Sequence, residues 1–88
     1  MSEDKGYSGK VLVRTPLAGV FYRRPAPEDS PYVEVGSEVK KRQTLALIES
    51  MKVFNKLRAP SDGKVAEILV EDEQTVDTNQ LIMVLAPL

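Results

Sequence analysis

The sequence of 88 residues contains no cysteine, no histidine and no tryptophan. Without cysteine there is no disulfide and no thiolate nucleophile, and without histidine there is no imidazole base and almost no conventional zinc site. The densest run of acids, Glu71-Asp72-Glu73, is more typical of a solvated turn than of a metal site or an acid–base pair. We therefore predict no catalytic residue and no metal ligand, and we expect that the chain is not an enzyme by itself.

Long apolar runs and an excess of charge of one sign are also missing. No run approaches the roughly 20 apolar residues of a membrane span. The 12 basic and 13 acidic residues give a formal net charge of −1, which provides no general attraction to phosphate backbones. Residues 1–6 lack the basic region and the apolar region of a secretory signal. We predict no nucleic-acid or membrane partner, and a cytoplasmic location.

What is present is a pattern of short apolar segments. Apolar residues make up 42% of the chain and charged residues 28%, as in a small folded domain. The segments are separated by proline, glycine and polar turn residues, which indicates an all-β domain. Residues 1–9 carry little apolar content, so we predict a flexible tail there and a domain over 10–88. The predicted strands are 10–14, 19–22, 32–35, 44–48, 65–70 and 81–85.

Two further segments complete this outline. The last predicted strand, 81–85, is apolar throughout, and we expect it to pair inside a closed barrel rather than to remain an open edge. Three prolines lie in the seven residues 25–31. Because proline fixes φ and removes a backbone donor, we predict a stiff loop that protrudes from the sheet over about 23–32. The basic side chains on either side of it are expected to be solvated, namely Arg23, Arg24, Lys40, Lys41 and Arg42.

An internal repeat divides the chain into two halves. The segment 16–19 begins with proline and ends with glycine, and it recurs 44 residues later as 60–63. The segment 43–48 similarly resembles 79–84, with an offset of 36. Two similar β halves that join near residues 49–55 predict a quasi-twofold arrangement with this junction at one end.

The residues of the junction itself are compatible with two structures. The segment 46–58 is rich in helix-forming residues and has apolar residues at helical spacing. The repeat instead favours a hairpin whose two-residue turn is Met51-Lys52, although a tight turn usually contains glycine or asparagine. This hairpin would pair Ile48 with Asn55 and place the Asn55 amide on an apolar face, where it needs hydrogen-bond partners.

The junction carries a family resemblance. Glu49-Ser50-Met51-Lys52 resembles the attachment motif of biotin carboxyl carrier proteins, and the resemblance extends over residues 14–87. It implies a flattened β-barrel or sandwich of two four-stranded antiparallel sheets with quasi-twofold symmetry and a lysine at the tip of a hairpin. The loop at 23–32 resembles the "thumb" of acetyl-CoA carboxylase carriers, and we call it the thumb loop. Further matching stretches are 15–23, 33–36, Asn55 and 67–70.

The resemblance also implies a function. Lys52 would bear covalent biotin, attached by a biotin protein ligase. A biotin carboxylase would load a carboxyl group onto the biotin, and a carboxyltransferase would move it to an acyl-CoA, most commonly acetyl-CoA in fatty acid synthesis. The chain would then be a carrier, since the cofactor provides the chemistry. Residues implied in recognition by the ligase or the carboxylase are Glu49, Ser50, Met51 and Val53.

Some positions depart from the family pattern and keep alternatives open. Glycine is common in the family where this chain has Arg42 and Glu73, so the geometry of two turns is in question. Alanine and methionine are commoner than Ser50 and Val53. A long proline- and alanine-rich linker often precedes the domain, so we expect either a minimal carrier or the end of a longer one.

Two other functions remain as alternatives at this stage. One is a lipoyl carrier of a 2-oxo acid dehydrogenase or glycine cleavage complex, although lipoyl sites usually have an acidic residue where Met51 stands. The other is an unmodified barrel-sandwich domain that serves as an interaction module, and such domains often lack a lysine at the tip. The Met51-Lys52 pair and the thumb loop favour the biotin carrier over both.

Overall fold

The structure is a computed structural model that describes residues 6–88. In this part of the chain it contains eight β-strands and no α-helix. The strands form two four-stranded antiparallel sheets with the orders β1-β8-β6-β3 and β5-β4-β2-β7, which confirms the predicted all-β fold. Their bounds are β1 Val11–Arg14, β2 Gly19–Tyr22, β3 Glu38–Val39, β4 Thr44–Ser50, β5 Val53–Arg58, β6 Gly63–Ile68, β7 Thr75–Val76 and β8 Leu81–Ala86.

The two sheets are related by the predicted quasi-twofold symmetry. Each of β1 to β4 occupies in its sheet the place that the corresponding strand of β5 to β8 occupies in the other. The loop hydrogen bonds repeat as well, because Arg42 N donates to Ala59 O at 2.8 Å and Asn79 N donates to Thr15 O at 2.7 Å. The two donors, Arg42 and Asn79, are 37 residues apart, whereas the sequence match had an offset of 36. The apolar runs of β4 and β8 tolerate a shift of one residue in a sequence comparison, whereas the turn hydrogen bonds do not.

The core lies between the two sheets, and within residues 6–88 its only buried polar side chain is that of Thr15. Thr15 is fully buried, and its Oγ1 donates to the carbonyl of Leu17 at 2.7 Å. Strand β8 pairs with both β1 and β6, so the expectation that residues 81–85 pair inside the barrel is confirmed. Burying these side chains supplies most of the stabilisation. The fully buried large side chains include Phe21, Leu45, Ile48, Ile82, Met83 and Leu85.

The structure corrects the strand assignment in three places. The predicted strand at 32–35 is irregular and runs into a turn at Gly36, whose N–H donates to Val65 O at 2.8 Å. Strands β3 and β7 were missed, because two residues are too few to show an alternating pattern. The first five residues of the predicted tail lie outside the described residues, and residues 6–9 form a turn that Lys10 N closes onto Tyr7 O at 2.9 Å.

Four turns share one hydrogen-bonding frame, at residues 34–37, 40–43, 71–74 and 77–80. In each turn the fourth N–H donates to the first carbonyl, and the side-chain oxygen of the fourth residue accepts from the first N–H. The two bonds offset the cost of a left-handed residue, about 1 kcal/mol for a residue other than glycine. The turn geometry is therefore kept without glycine at three of the four sites. The third residues and their φ values are Gly36 (98°), Arg42 (75°), Glu73 (68°) and Asn79 (67°).

Candidate functional site

The junction between the halves is a hairpin, so the helix alternative over 46–58 is wrong. Met51 and Lys52 form its two-residue turn, with φ values of 53° and 66°. Positive φ at both central residues is the signature of a type I′ turn, whose twist matches that of the flanking strands. The pairing of Ser50 with Val53 agrees with the register that the sequence predicted. The β4–β5 ladder stabilises the turn despite the absence of glycine and asparagine.

Lys52 lies at the tip of this hairpin and is exposed. Its backbone N–H donates to Oε2 of Glu49 at 3.0 Å. This hydrogen bond holds the backbone of the two-residue turn against the end of β4. Within residues 6–88 the structure shows no hydrogen bond or ion pair of the Lys52 side chain. The tip therefore presents a primary amine that a second protein can reach from several directions.

The other predicted recognition residues lie on the same hairpin. Met51 is 92% exposed and Val53 57% exposed, which is unusual for apolar side chains that could pack against a sheet. Glu49 and Ser50 are half-buried at the end of β4. The structure thus brings all four together within the few residues that flank Lys52.

The base of the hairpin is fixed to the rest of the domain. The half-buried Asn55 donates through Nδ2 to the carbonyls of Ile48 and Val53, both at 3.3 Å. The predicted need of this amide for partners is therefore confirmed. Strand β2 pairs with β4 next to the tip, with Val20 opposite Glu49. These contacts position the tip as an extension of a rigid sheet.

The thumb loop leaves the domain after β2 and returns at the same place. Tyr32 N donates to Arg23 O at 2.9 Å and closes the neck of the loop, and Asp29 N donates to Ala26 O at 3.0 Å inside it. The expectation of solvated arginines is wrong for Arg23 and Arg24, which are half-buried. Their backbone and guanidinium groups contact Asp72, a residue far away in sequence. The expectation is confirmed for Lys40, Lys41 and Arg42, all exposed.

A groove of about 520 Å³ lies between the thumb loop and the hairpin. One wall is proline-rich, and the other includes Phe54, which is 57% exposed. The ring of Phe54 packs on that of Tyr22 with centroids 5.7 Å apart and an angle of 54° between the planes. No pattern in the sequence predicted this groove. The only local signal was an aromatic residue two positions after Lys52 together with the thumb prolines.

Residues 6–88 contain no group of three or more acidic side chains arranged to hold a metal ion. No helix of these residues is long and apolar enough to cross a membrane.

Comparison with known proteins agrees with this geometry. The family model described as biotin-requiring enzyme matches residues 11–85. The chain belongs to this family. Within the biotin-requiring family, the biotin carboxyl carrier protein of acetyl-CoA carboxylase from Pyropia yezoensis is 46% identical over 83 residues, or 94% of this chain and 51% of the relative. The protein of the same name from Streptococcus pyogenes is 48% identical over 69 residues, or 78% of this chain and 42% of the relative.

The chain spans about half the length of these curated relatives. Among solved structures it is similar to a single-chain, multi-domain long-chain acyl-CoA carboxylase, with a TM-score of 0.75 and 28% identity. That match covers 93% of this chain and 7% of the carboxylase. This chain is thus similar both to about half of a carrier protein and to a small part of a very large carboxylase chain.

Proposed function

We propose that this protein is a biotin carboxyl carrier of an acetyl-CoA carboxylase and that Lys52 bears covalent biotin. The observation that carries the proposal is the exposed lysine of a Met-Lys pair at the tip of a type I′ hairpin between two quasi-symmetric halves. The names of the relatives support the carboxylase type. Biotin, when attached, carries a carboxyl group from one active site to another.

The residues present fit such a group. Attachment requires that the neutral Nζ amine of Lys52 attack an activated carboxyl carbon, lose a proton to solvent and form an amide as the leaving group departs. No described side chain competes for this amine, and the bond from Lys52 N to Glu49 keeps the backbone of the tip in place. The chain thus presents and orients the lysine, and it provides no catalytic group of its own.

Recognition of the tip is the second part of the proposal. Met51 and Val53 offer exposed apolar surface on either side of Lys52. Glu49 and Ser50 are half-buried at the end of β4, next to the turn. An apolar side chain that is exposed in the free carrier gains stability when a partner covers it. We assign these four residues to recognition by the ligase and the carboxylase.

The partners follow from the same role. A biotin protein ligase modifies Lys52, a biotin carboxylase loads the carrier, and a carboxyltransferase unloads it, all in the cytoplasm. Because tethering raises the local concentration of the attached group at these active sites, weak docking at each is sufficient. A lipoyl carrier is disfavoured, since Met51 stands where lipoyl sites place an acidic residue. An unmodified interaction module would leave the exposed Met51-Lys52 tip without a role.

The first test is the intact mass of the protein after co-expression with a biotin protein ligase in the presence of biotin. We expect one biotinyl group on the wild type and on Lys56→Arg, and none on Lys52→Arg. Lys56 is a matched control because it is an exposed lysine on the same hairpin. A folded wild type that gains no mass beside an active ligase would refute the proposal. A parallel incubation with a lipoate ligase and lipoate would then decide between the two alternatives.

A further inference from the structure

Asp72 lies at the base of the thumb loop and contacts two consecutive residues there. Its Oδ1 accepts a hydrogen bond from Arg23 N at 2.8 Å. Its Oδ2 lies 3.7 Å from Nε of Arg24, within ion-pair distance but too long for a hydrogen bond. The Arg24 and Asp72 side chains are only 31% and 30% exposed. The carboxylate thus connects a turn of the second half of the chain to the start of the thumb loop.

The quasi-twofold repeat provides a comparison for Asp72 within the same chain. The turn at 71–74 corresponds to the turn at 34–37, so Asp72 corresponds to Val35. Val35 is 64% exposed and has no polar group with which to hold a neighbouring strand. At that place strand β6 continues to Ile68, and only the short connection 69–74 follows it. The carboxylate therefore occurs only in the half from which the thumb loop departs, and the turn itself does not require it.

The remaining contacts at the neck depend on the same two arginines. Arg23 Nη2 donates to Val33 O at 3.2 Å, and Arg24 Nη1 donates to Asp29 O at 3.3 Å inside the loop. Nε of each arginine is buried and has no hydrogen-bond partner among the described residues. A partly desolvated guanidinium group without a nearby anion would be unfavourable. Asp72 provides that anion for Arg24 and accepts the backbone N–H of Arg23, so its removal is expected to loosen the start of the thumb loop.

We propose that Asp72 is a positioning residue that fixes the thumb loop over the hairpin and thereby shapes the groove beside Lys52. The thumb prolines and Phe54 form opposite walls of this groove, and Asp72 itself lines it. Phe54 follows Lys52 by two residues, so a carboxylase that engages the group on Lys52 meets the groove next to it. In this functional sense the inference rests on the proposed carrier role. The anchoring of the loop can be measured without it.

The anchoring is tested by amide hydrogen exchange on Asp72→Ala and on Glu71→Gln. The second variant removes a negative charge from the same turn, at a side chain without a hydrogen bond in the structure. Exchange of the Tyr32 and Asp29 amides should accelerate about tenfold or more in Asp72→Ala, as expected for loss of a hydrogen bond to a charged group. The amide of Val84 in β8 should not change, and Glu71→Gln should behave as the wild type.

Unchanged exchange at Tyr32 and Asp29 in a folded Asp72→Ala protein would overturn the proposal. If this variant does not fold, Asp72→Asn replaces it, because asparagine keeps an acceptor for Arg23 N and removes the charge that faces Arg24. Faster exchange at Asp29 in that variant supports the anchor, and wild-type exchange there overturns it.

The functional part is tested by carboxylation of the biotinylated carriers by a biotin carboxylase. We expect Asp72→Ala to raise the KM for the carrier several-fold with little change in kcat, since the defect is in presentation. In a second background, residues 24–31 are replaced by Gly-Gly, and there Asp72→Ala should have no further effect. An equal effect in both backgrounds would show that Asp72 does not act through the thumb loop. A wild type without biotin would refute the carrier function, whereas the exchange data would still decide the anchor.

Discussion

Met51 and Lys52 both adopt left-handed backbone conformations, which are unfavourable for residues with a Cβ atom. Glycine or asparagine at these positions would form the same type I′ turn more easily. The hairpin has neither, and it leaves the apolar Met51 side chain 92% exposed. Local rules that are broken without a structural gain are found at functional sites. At the scale of single residues, the tip therefore gives up some stability at the place where the proposed function needs an exposed lysine.

Replacing Met51 with glycine separates these two requirements. Met51→Gly should raise the free energy of unfolding by about 0.5–1 kcal/mol, because relief of the left-handed strain exceeds the added entropy of the unfolded chain. The same change should slow biotinylation by removing the exposed thioether side chain. Urea unfolding and ligase kinetics measure the two effects.

Asn79→Gly is the control for Met51→Gly. Asn79 also has positive φ, but asparagine tolerates this conformation, so the gain in stability should be smaller. A Met51→Gly protein that is less stable than the wild type, or one that is biotinylated at the normal rate, would contradict this account of the tip.

At the scale of strands, the two glycines of the Pro-x-x-Gly repeat have a common role. Each begins a strand, β2 or β6, that passes very close to its neighbour. A Cβ atom added to Gly63 would lie 2.8 Å from Ala86 O, and one added to Gly19 would meet the Glu49 carbonyl even more closely. The Pro-x-x-Gly repeat therefore marks two symmetry-equivalent places where neighbouring strands pass very close to each other. One lies at the side of the hairpin, between β2 and β4, and the other lies between β6 and β8.

Gly19→Ala should consequently destabilise the domain by about 2 kcal/mol or more, because the added methyl group pushes β2 away from β4. Gly36→Ala is the matched comparison. A Cβ at Gly36 meets open space, and only the strain of φ 98° remains, at about 1 kcal/mol. Both values follow from urea unfolding. If Gly36→Ala were the more destabilising change, close approach of the strands would not explain why the Pro-x-x-Gly pattern occurs twice in this chain.

At the scale of the whole molecule, the pairing of the strands in the quasi-twofold core does not depend on the thumb loop. Every strand of one sheet has an equivalent in the other, whereas the thumb loop has no counterpart. The loop begins and ends at adjacent positions, because Tyr32 N contacts Arg23 O at 2.9 Å. Removing the loop therefore breaks no strand pairing.

Replacing residues 24–31 with Gly-Gly should leave the melting temperature within about 5 °C of the wild type, since 1 kcal/mol corresponds to roughly 4–8 °C in a domain of this size. The cost of closing a short loop changes little with its length. Thermal unfolding followed by circular dichroism measures this. Loss of cooperative unfolding would show instead that the thumb loop is part of the folded core.

Most of the architecture was determined by the sequence itself. Alternating and apolar segments predicted β1, β2, β4, β6 and β8, and the repeat predicted the symmetry. For the turn at Met51-Lys52 the repeat favoured a hairpin over a helix, and the family resemblance decided between them. These features depend on local backbone preferences and on which side chains avoid water, both of which are written in neighbouring residues. The proposal that Lys52 is the attachment lysine came from the resemblance of the same local segment to a known motif.

Other features were decided only by the tertiary structure. Strands β3 and β7 have two residues each and exist because β6 and β2 hold them. The pairing of Arg23 with Asp72 joins residues 49 positions apart, and the groove between the thumb loop and Phe54 follows from it. No local pattern encodes such contacts, because they form only when the two halves pack together and bring distant residues within hydrogen-bond and ion-pair distance.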